Sequence, residues 1–182
     1  MGTDLSTITG TWQIDPSHSS LNFSARHAMV AKVRGGFSDF AGTLILDGAS
    51  PAASSAEVAI VAASLDTKNA ERDGHLKSAD FLDIEQFPTI TFKSTSATAK
   101  GDDEFEVTGD LTIHGVTKPV TVKMELLGVS QDPWGGTRIG FEGKTEISRK
   151  DFGMVWNVAL EAGGVLVSDT IKLELDVEAV KQ

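Results

Sequence analysis

From Ile171 to Val177 the chain reads Ile-Lys-Leu-Glu-Leu-Asp-Val, with apolar and charged residues in strict alternation. A period of two belongs to a β-strand, because successive side chains leave opposite faces of the strand. The same pattern recurs in Val120, Val122, Met124 and Leu126 against Thr121, Lys123 and Glu125, in Leu21, Phe23 and Ala25, in Leu111 and Ile113, and in Ile139 and Phe141. Each segment is built to bury one side and wet the other. Gly, Asp, Ser and Pro bound the segments, which places strands near 10–15, 18–27, 36–47, 55–65, 88–99, 104–114, 117–129, 136–148 and 168–179.

About eight antiparallel strands with one apolar face must hide that face and dispose of their edges, and closing the sheet does both. The expected fold is therefore all-β, a single antiparallel barrel over 10–182 after a flexible N-terminus at 1–9. At this strand number the interior can just hold side chains or one small ligand. The inward set predicted by parity is Leu21, Phe23, Ile90, Phe92, Leu111, Ile113, Val122, Met124, Ile139, Phe141, Leu173 and Leu175. Small candidates (Ala25, Ala41, Gly42, Ala59, Ala62, Gly143 and Ala162) accompany large ones such as Trp12, Phe37, Phe40 and Phe105. That mixture suits a lined cavity and a packed tapered core equally.

Alternation fails between Asp66 and Phe87, which reads as a short helical insertion. Asn69 is placed to cap a helix running to about Lys77, Ser78 to cap a second near Phe81, and Pro88 discourages helix just before it. His114 to Thr117 reads as the turn of a hairpin, with Pro119 marking an interruption of its ladder.

Charge and composition exclude several function classes. Sixteen basic against 26 acidic residues give a net charge of -10, which opposes long-range attraction to nucleic acid or to anionic lipid surfaces. No cysteine is present, so disulfides, thiolate metal sites and thiol nucleophiles are absent. The first ten residues lack the basic start and apolar run of a secretory signal, and no stretch approaches a membrane span, so a cytoplasmic location without stable membrane insertion is expected.

The polar candidates are few. His18 and His27 differ by an odd number of positions and make a poor metal pair, so neither a metal site nor a cofactor is expected. His18 reads as a polar group closing the turn after Asp15-Pro16, and no G-x-S-x-G motif supports a hydrolase. His27 has the parity of Phe23 and is expected to point inward, either into core hydrogen bonds or onto a ligand. Arg72, His75 and Leu76 fit either a lid over a barrel mouth or a surface helix with an Asp73–Lys77 pair. Arg149, beside Phe152, ends a strand and reads either as a solvated cation or as a holder of an anionic head group. Arg26 also lies at a strand end, and Phe81 and Trp156 are apolar candidates near the cavity.

Several pieces together resemble the YceI-like family: Trp12-Gln13-Ile14-Asp15-Pro16-Ser17-His18-Ser19, Phe23 with His27, Val33-Arg34-Gly35-Gly36-Phe37, and Arg72-Asp73-Gly74-His75-Leu76. Phe87-Pro88-Thr89-Ile90-Thr91-Phe92-Lys93-Ser94, Gly109 to Val120 and Arg149-Lys150-Asp151-Phe152-Gly153 extend the match to nearly the whole chain. The resemblance implies a lipocalin-like barrel whose channel binds a polyisoprenoid lipid, of the quinone or polyprenyl diphosphate type, for storage, transport or sequestration. It also implies homodimers in some members. The alternatives are an enzyme that modifies such a lipid and a ligand-free packed barrel acting as an interaction module.

Overall fold

The alternating segments become the staves of a closed antiparallel barrel in a computed structural model that describes residues 2–161 and 164–182. Three of the staves are bent. β1 (Gly10–Ile14) and β2 (Ser20–His27) are halves of one stave broken at Pro16–His18, and both pair with β11 (Thr170–Lys181). β3 (Ala31–Phe37) and β4 (Phe40–Leu46) form the second, and β5 (Ser55–Val61) and β6 (Leu65–Asp66) the third. β7 (Thr89–Ala99), β8 (Glu104–Ile113), β9 (Val116–Gln131) and β10 (Thr137–Ser148) follow in hairpin order. Pairing of Ile14 with Ala179 closes the eight staves.

The ladder between the third and fourth staves ends at Val61↔Thr89, because β6 turns away to pair with β3 through Phe37↔Leu65. Residues 67–88 lie over that end, the upper end of the barrel. They carry α1 (Ala70–Lys77), capped as expected by Asn69, whose Oδ1 accepts from Arg72 N at 3.0 Å. The second helix expected near Phe81 is a series of turns. Ser78 instead ends α1, its hydroxyl donating to the His75 carbonyl at 2.6 Å. The Asp73–Lys77 pair also gives way, because the Asp73 carboxylate accepts from Thr67 N at 2.8 Å and so ties the helix to the end of β6.

The expected strand over 36–47 is two strands with a break at Ser38-Asp39, and β3 begins earlier than its composition suggested. Its Lys32, Arg34, Gly35 and Gly36 give little strand signal, and it is held by its long partner through Ala25↔Val33 and Phe23↔Gly35. Ala41 and Ala59, expected inward, pair with each other on the exposed face, whereas Gly42 faces the core. Ala162 lies outside the described residues. The β8–β9 connection is tighter than expected: His114 (φ 55°) and Gly115 (φ 72°) form a two-residue turn with both central φ positive. Pro119 sits in β9 above Lys123, the last β9 residue paired to β10.

The N-terminal segment is packed rather than loose. Leu5–Thr7 forms a one-turn 3-10 helix, Ile8 is buried, and its carbonyl accepts the Trp12 indole N–H at 2.8 Å. Its partners are distant in sequence, as in Thr3 N to Asp103 at 2.7 Å, so no local pattern announced it.

Buried residues gather at both ends. The lower cluster contains Trp12, Ile14, Leu21, Phe40, Leu44, Phe105, Leu126 and Ile139. The upper one contains Leu65, Leu82, Ile90, Leu111, Ile113, Ile147, Phe152 and Met154. All twelve positions predicted inward by parity are buried or half-buried.

Candidate functional site

Between the two clusters the inward side chains are half-buried rather than sealed. Phe23, Phe92 and Leu173 pack against the upper cluster, Met124, Phe141 and Leu175 against the lower, and Ile60 against both. A barrel filled to native density would close these positions off, because interiors tolerate few voids larger than water. Their residual exposure therefore leaves the middle of the inward face less tightly packed than its two ends. Gly109 helps form the wall at that level: a Cβ there would meet Phe92 Cζ at 2.5 Å and the Lys93 carbonyl at 2.6 Å, so the missing side chain is the space in which the Phe92 ring lies. Phe23 lies against Gly35 in the same way and meets Phe37 at a centroid distance of 5.7 Å.

The upper mouth is aromatic. The His75 ring stands edge-on to Trp156 at 4.7 Å and to Phe81 at 5.2 Å, and Phe81 and Trp156 are 5.5 Å apart. This brings α1, the turn after it and the 149–169 segment together at one point. Leu76, Leu82 and Met154 complete the apolar surface beneath. Leu82 and Met154 were not among the expected site residues. They lie in irregular segments, where no periodicity marks which of the neighbouring apolar residues is buried.

Arg149 is the largest departure from expectation. It is 2 % exposed, beneath Phe81 at 5.8 Å, and its guanidinium donates to four backbone carbonyls. Nε reaches Ser168 O at 2.9 Å, Nη1 reaches Met154 O at 2.7 Å and Trp156 O at 2.9 Å, and Nη2 reaches Val167 O at 3.2 Å. Burial pushes its pKa down, with Asp169 as a weaker opposing charge. Arg149 is thus an internal frame joining Met154, Trp156, Val167 and Ser168, with its guanidinium occupied by their carbonyls.

Arg72 is half-buried, with Nε and Nη2 donating to the Thr67 hydroxyl and carbonyl at 2.8 and 2.7 Å. His27 keeps the parity of Phe23 but stands above the barrel rim, where it is exposed, as is Arg26. The interior that would have received it ends one step lower. His75 Nε2 lies 2.8 Å from Asp80 Oδ2, with both side chains partly exposed, and Ser78 beside them is occupied as a helix cap.

Trp12, Leu21 and Phe40 lie in the closed lower cluster, and Trp12 is fully buried. The structure therefore gathers the expected residues into an upper group (Phe23, Phe37, Ile90, Phe92, Leu111, Ile113, Phe152), a mouth (His75, Leu76, Phe81, Trp156) and a lower end. His18 holds the turn as expected, its Nδ1 2.9 Å from Asp15 Oδ2. Asp15, His18 and Glu178 present ligand atoms within 4.8 Å of one another. The positive charge in that corner is Arg138, whose Nη1 lies 2.9 Å from Asp15 and 2.8 Å from Glu178. Bonds from Ser17, His18 and Arg138 hold the Asp15 carboxyl well below the usual carboxylate range.

Among the described residues no helix is long and apolar enough to cross a membrane. The Escherichia coli protein YceI is 43 % identical over 179 residues, covering 97 % of this chain and 90 % of that one. The crystal structure of Burkholderia cenocepacia BcnA superposes with a TM-score of 0.76 at 25 % identity, over 91 % of this chain and 98 % of that one. A polyisoprenoid binding domain from Saccharophagus degradans, implicated in plant cell wall breakdown, superposes with a TM-score of 0.72 at 16 % identity over 94 % and 98 % of the two chains, which shows a common fold. The YceI-like domain model matches residues 12–179, and with the shared barrel and the extended identity the chain belongs to the YceI-like family.

Proposed function

We propose that this protein binds a long-chain polyisoprenoid, of the quinone or polyprenyl diphosphate type, inside the barrel, and that it stores or carries the lipid without altering it. The observation that carries this reading is the row of half-buried apolar side chains facing inward between two closed clusters. The shared fold with a domain described as polyisoprenoid binding supports it. Each buried CH₂ contributes about 0.8 kcal/mol at most, so a tail of several isoprene units binds tightly with no strong polar contact. Tail length then dominates affinity, and head-group contacts fall to His75 and Trp156 at the mouth.

Native mass spectrometry of protein purified from its source, followed by organic extraction, tests the reading. A co-purified isoprenoid recovered unaltered is the expected result. A modified lipid would favour an enzyme, and an empty protein that also fails to bind added long-chain quinone would favour a packed barrel. Quenching by quinone should report through Trp156, which is half-buried at the mouth, and not through Trp12. Phe92→Asp should weaken binding more than Arg72→Ala, and the reverse order would sink a tail-driven mechanism.

A further inference from the structure

The upper rim carries a second feature that the interior does not use. At the tip of the β2–β3 hairpin Met29 is 58 % and Val30 82 % exposed, and both Ala28 and Met29 have positive φ, 51° and 66°. The tip is tied to the 154–167 segment: Ala28 N donates to Leu166 O at 2.7 Å, and Met29 lies against Gly164. That segment exposes Val155, Val158 and Val165, so five aliphatic side chains face solvent on two adjoining loops beside the mouth.

The flank of the same hairpin is cationic. From Ser19 to Ser38 the chain has Arg26, His27, Lys32 and Arg34 and no Asp or Glu, in a protein with 26 acidic residues. Arg26 pairs across the ladder with Lys32, and Arg34 with Ser24, which in turn pairs with Lys172. Lys32, Arg34, Lys68 and Lys172 line one open groove of about 590 Å³ on this wall; its acids are Glu174 and Asp66, the latter bonded to Lys68 at 3.2 Å. Lower on the wall, Glu104, Glu125, Glu142 and Asp176 stand side by side across four strands. Along this wall the cations therefore lie above the acids, and they act at short range, within about a Debye length, against a net charge of -10 and the acidic residues of the 66–87 insertion.

We infer that this rim is a docking surface for an anionic lipid bilayer, with Met29 and Val30 entering the interface while Arg26, Lys32 and Arg34 meet the head groups. An apolar tip flanked by cations is the chemistry that a membrane surface recognises, since apolar burial and attraction to anionic lipid add. The acidic row lower on the same wall is repelled by that surface, which turns the hairpin tip toward it. The inference rests on the proposed lipid ligand: a mouth held against a bilayer lets a tail pass between membrane and barrel without crossing water.

Co-sedimentation of the full-length protein with vesicles of about one-third phosphatidylserine in phosphatidylcholine tests it, against vesicles of phosphatidylcholine alone. Binding should favour the anionic vesicles and fall steeply toward about 0.5 M salt, where the Debye length is only a few ångströms. Met29→Asp/Val30→Asp should reduce binding by about tenfold or more, and Lys32→Glu/Arg34→Glu by at least about fivefold per cation. Trp134→Asp, in the exposed β9–β10 turn, should leave it unchanged. Equal loss with Trp134→Asp, no preference for anionic vesicles, or a tip that instead mediates a dimer dispersed by Met29→Asp/Val30→Asp in sedimentation velocity would overturn the inference. Binding of detergent-dispersed quinone separates the two readings. Its retention in Met29→Asp/Val30→Asp, with slower uptake from vesicles, supports docking. Vesicle binding by a protein that takes up no quinone would count against the ligand and leave the surface standing. Quinone binding by a protein that ignores both kinds of vesicle would count against the surface alone.

Discussion

Arg149 shows how one residue can be misjudged from its type and place. An arginine at a strand end beside aromatic residues reads as a surface cation, and the structure makes it a buried cross-link between Met154, Trp156, Val167 and Ser168. Removing it leaves carbonyls without donors in a closed site, each a loss of about 1–3 kcal/mol. Arg149→Ala should therefore destabilise the protein by about 3 kcal/mol, a fall in Tm of roughly 6–12 °C for a chain of this size. Because the loss acts through the 149–169 segment, affinity for two ligands with one tail and different heads should fall by the same factor. A loss confined to a diphosphate, with Tm unchanged, would restore a head-group role. Arg149→Lys should not rescue stability, since a single ammonium cannot span four carbonyls.

At the scale of elements, the insertion is legible where it is local. Asn69 as a cap, the helix to Lys77 and the stop before Pro88 follow from backbone chemistry within a few residues. Asn69→Ala should cost about 1 kcal/mol and speed amide exchange across 70–77 while leaving β7 to β10 protected. Uniform loss of protection would mean that the helix is integral to the barrel. What followed Ser78 was not legible, because the turns to Phe87 are decided by where Phe81 and Leu82 are buried. The wall carries a testable tension: Glu125 faces Glu104 on one side and Glu142 on the other. Like charges directly opposite each other are destabilising, so Glu125→Lys should raise Tm by about 1–3 °C at low salt, from ~0.2–1 kcal/mol per relieved pair. The gain should shrink as salt is added, and a decrease in Tm would show that the row has a partner that neutralises it.

For the whole molecule the question is how the barrel is held shut. β1 and β11 meet over a short ladder at the lower end, and Arg138 braces it by joining Asp15 at the first bend, Glu178 on β11 and Asp132 in the β9–β10 turn. The Asp15 pKa is lower in the fold than in the unfolded chain, so its stabilisation is present above about pH 4 and is lost as pH falls through that range. Asp15→Asn should accordingly lower Tm at pH 7, and the gap from the wild-type protein should narrow progressively below about pH 4. A gap that stays constant down to pH 2 would mean that Asp15 acts through contacts that its protonation leaves intact rather than through the ionised carboxylate.

The alternation of Ile171 to Val177 and its counterparts determined by itself that the chain is a half-buried sheet, and the need to hide one face made that sheet a barrel. Parity alone set which side of each strand faces inward. The helical insertion and the first cap were equally local. Only the tertiary structure decided which end the insertion covers, that Trp156 and not Trp12 stands at the mouth, that His27 clears the rim, and that Arg149 is turned inward. Each of these depends on contacts between segments far apart in sequence, such as β2 with the 154–167 loop or residue 8 with the lower core. Such contacts arise from how chain closure places loops over the ends of the barrel, and a period of two carries no information about where a strand stops relative to the rim.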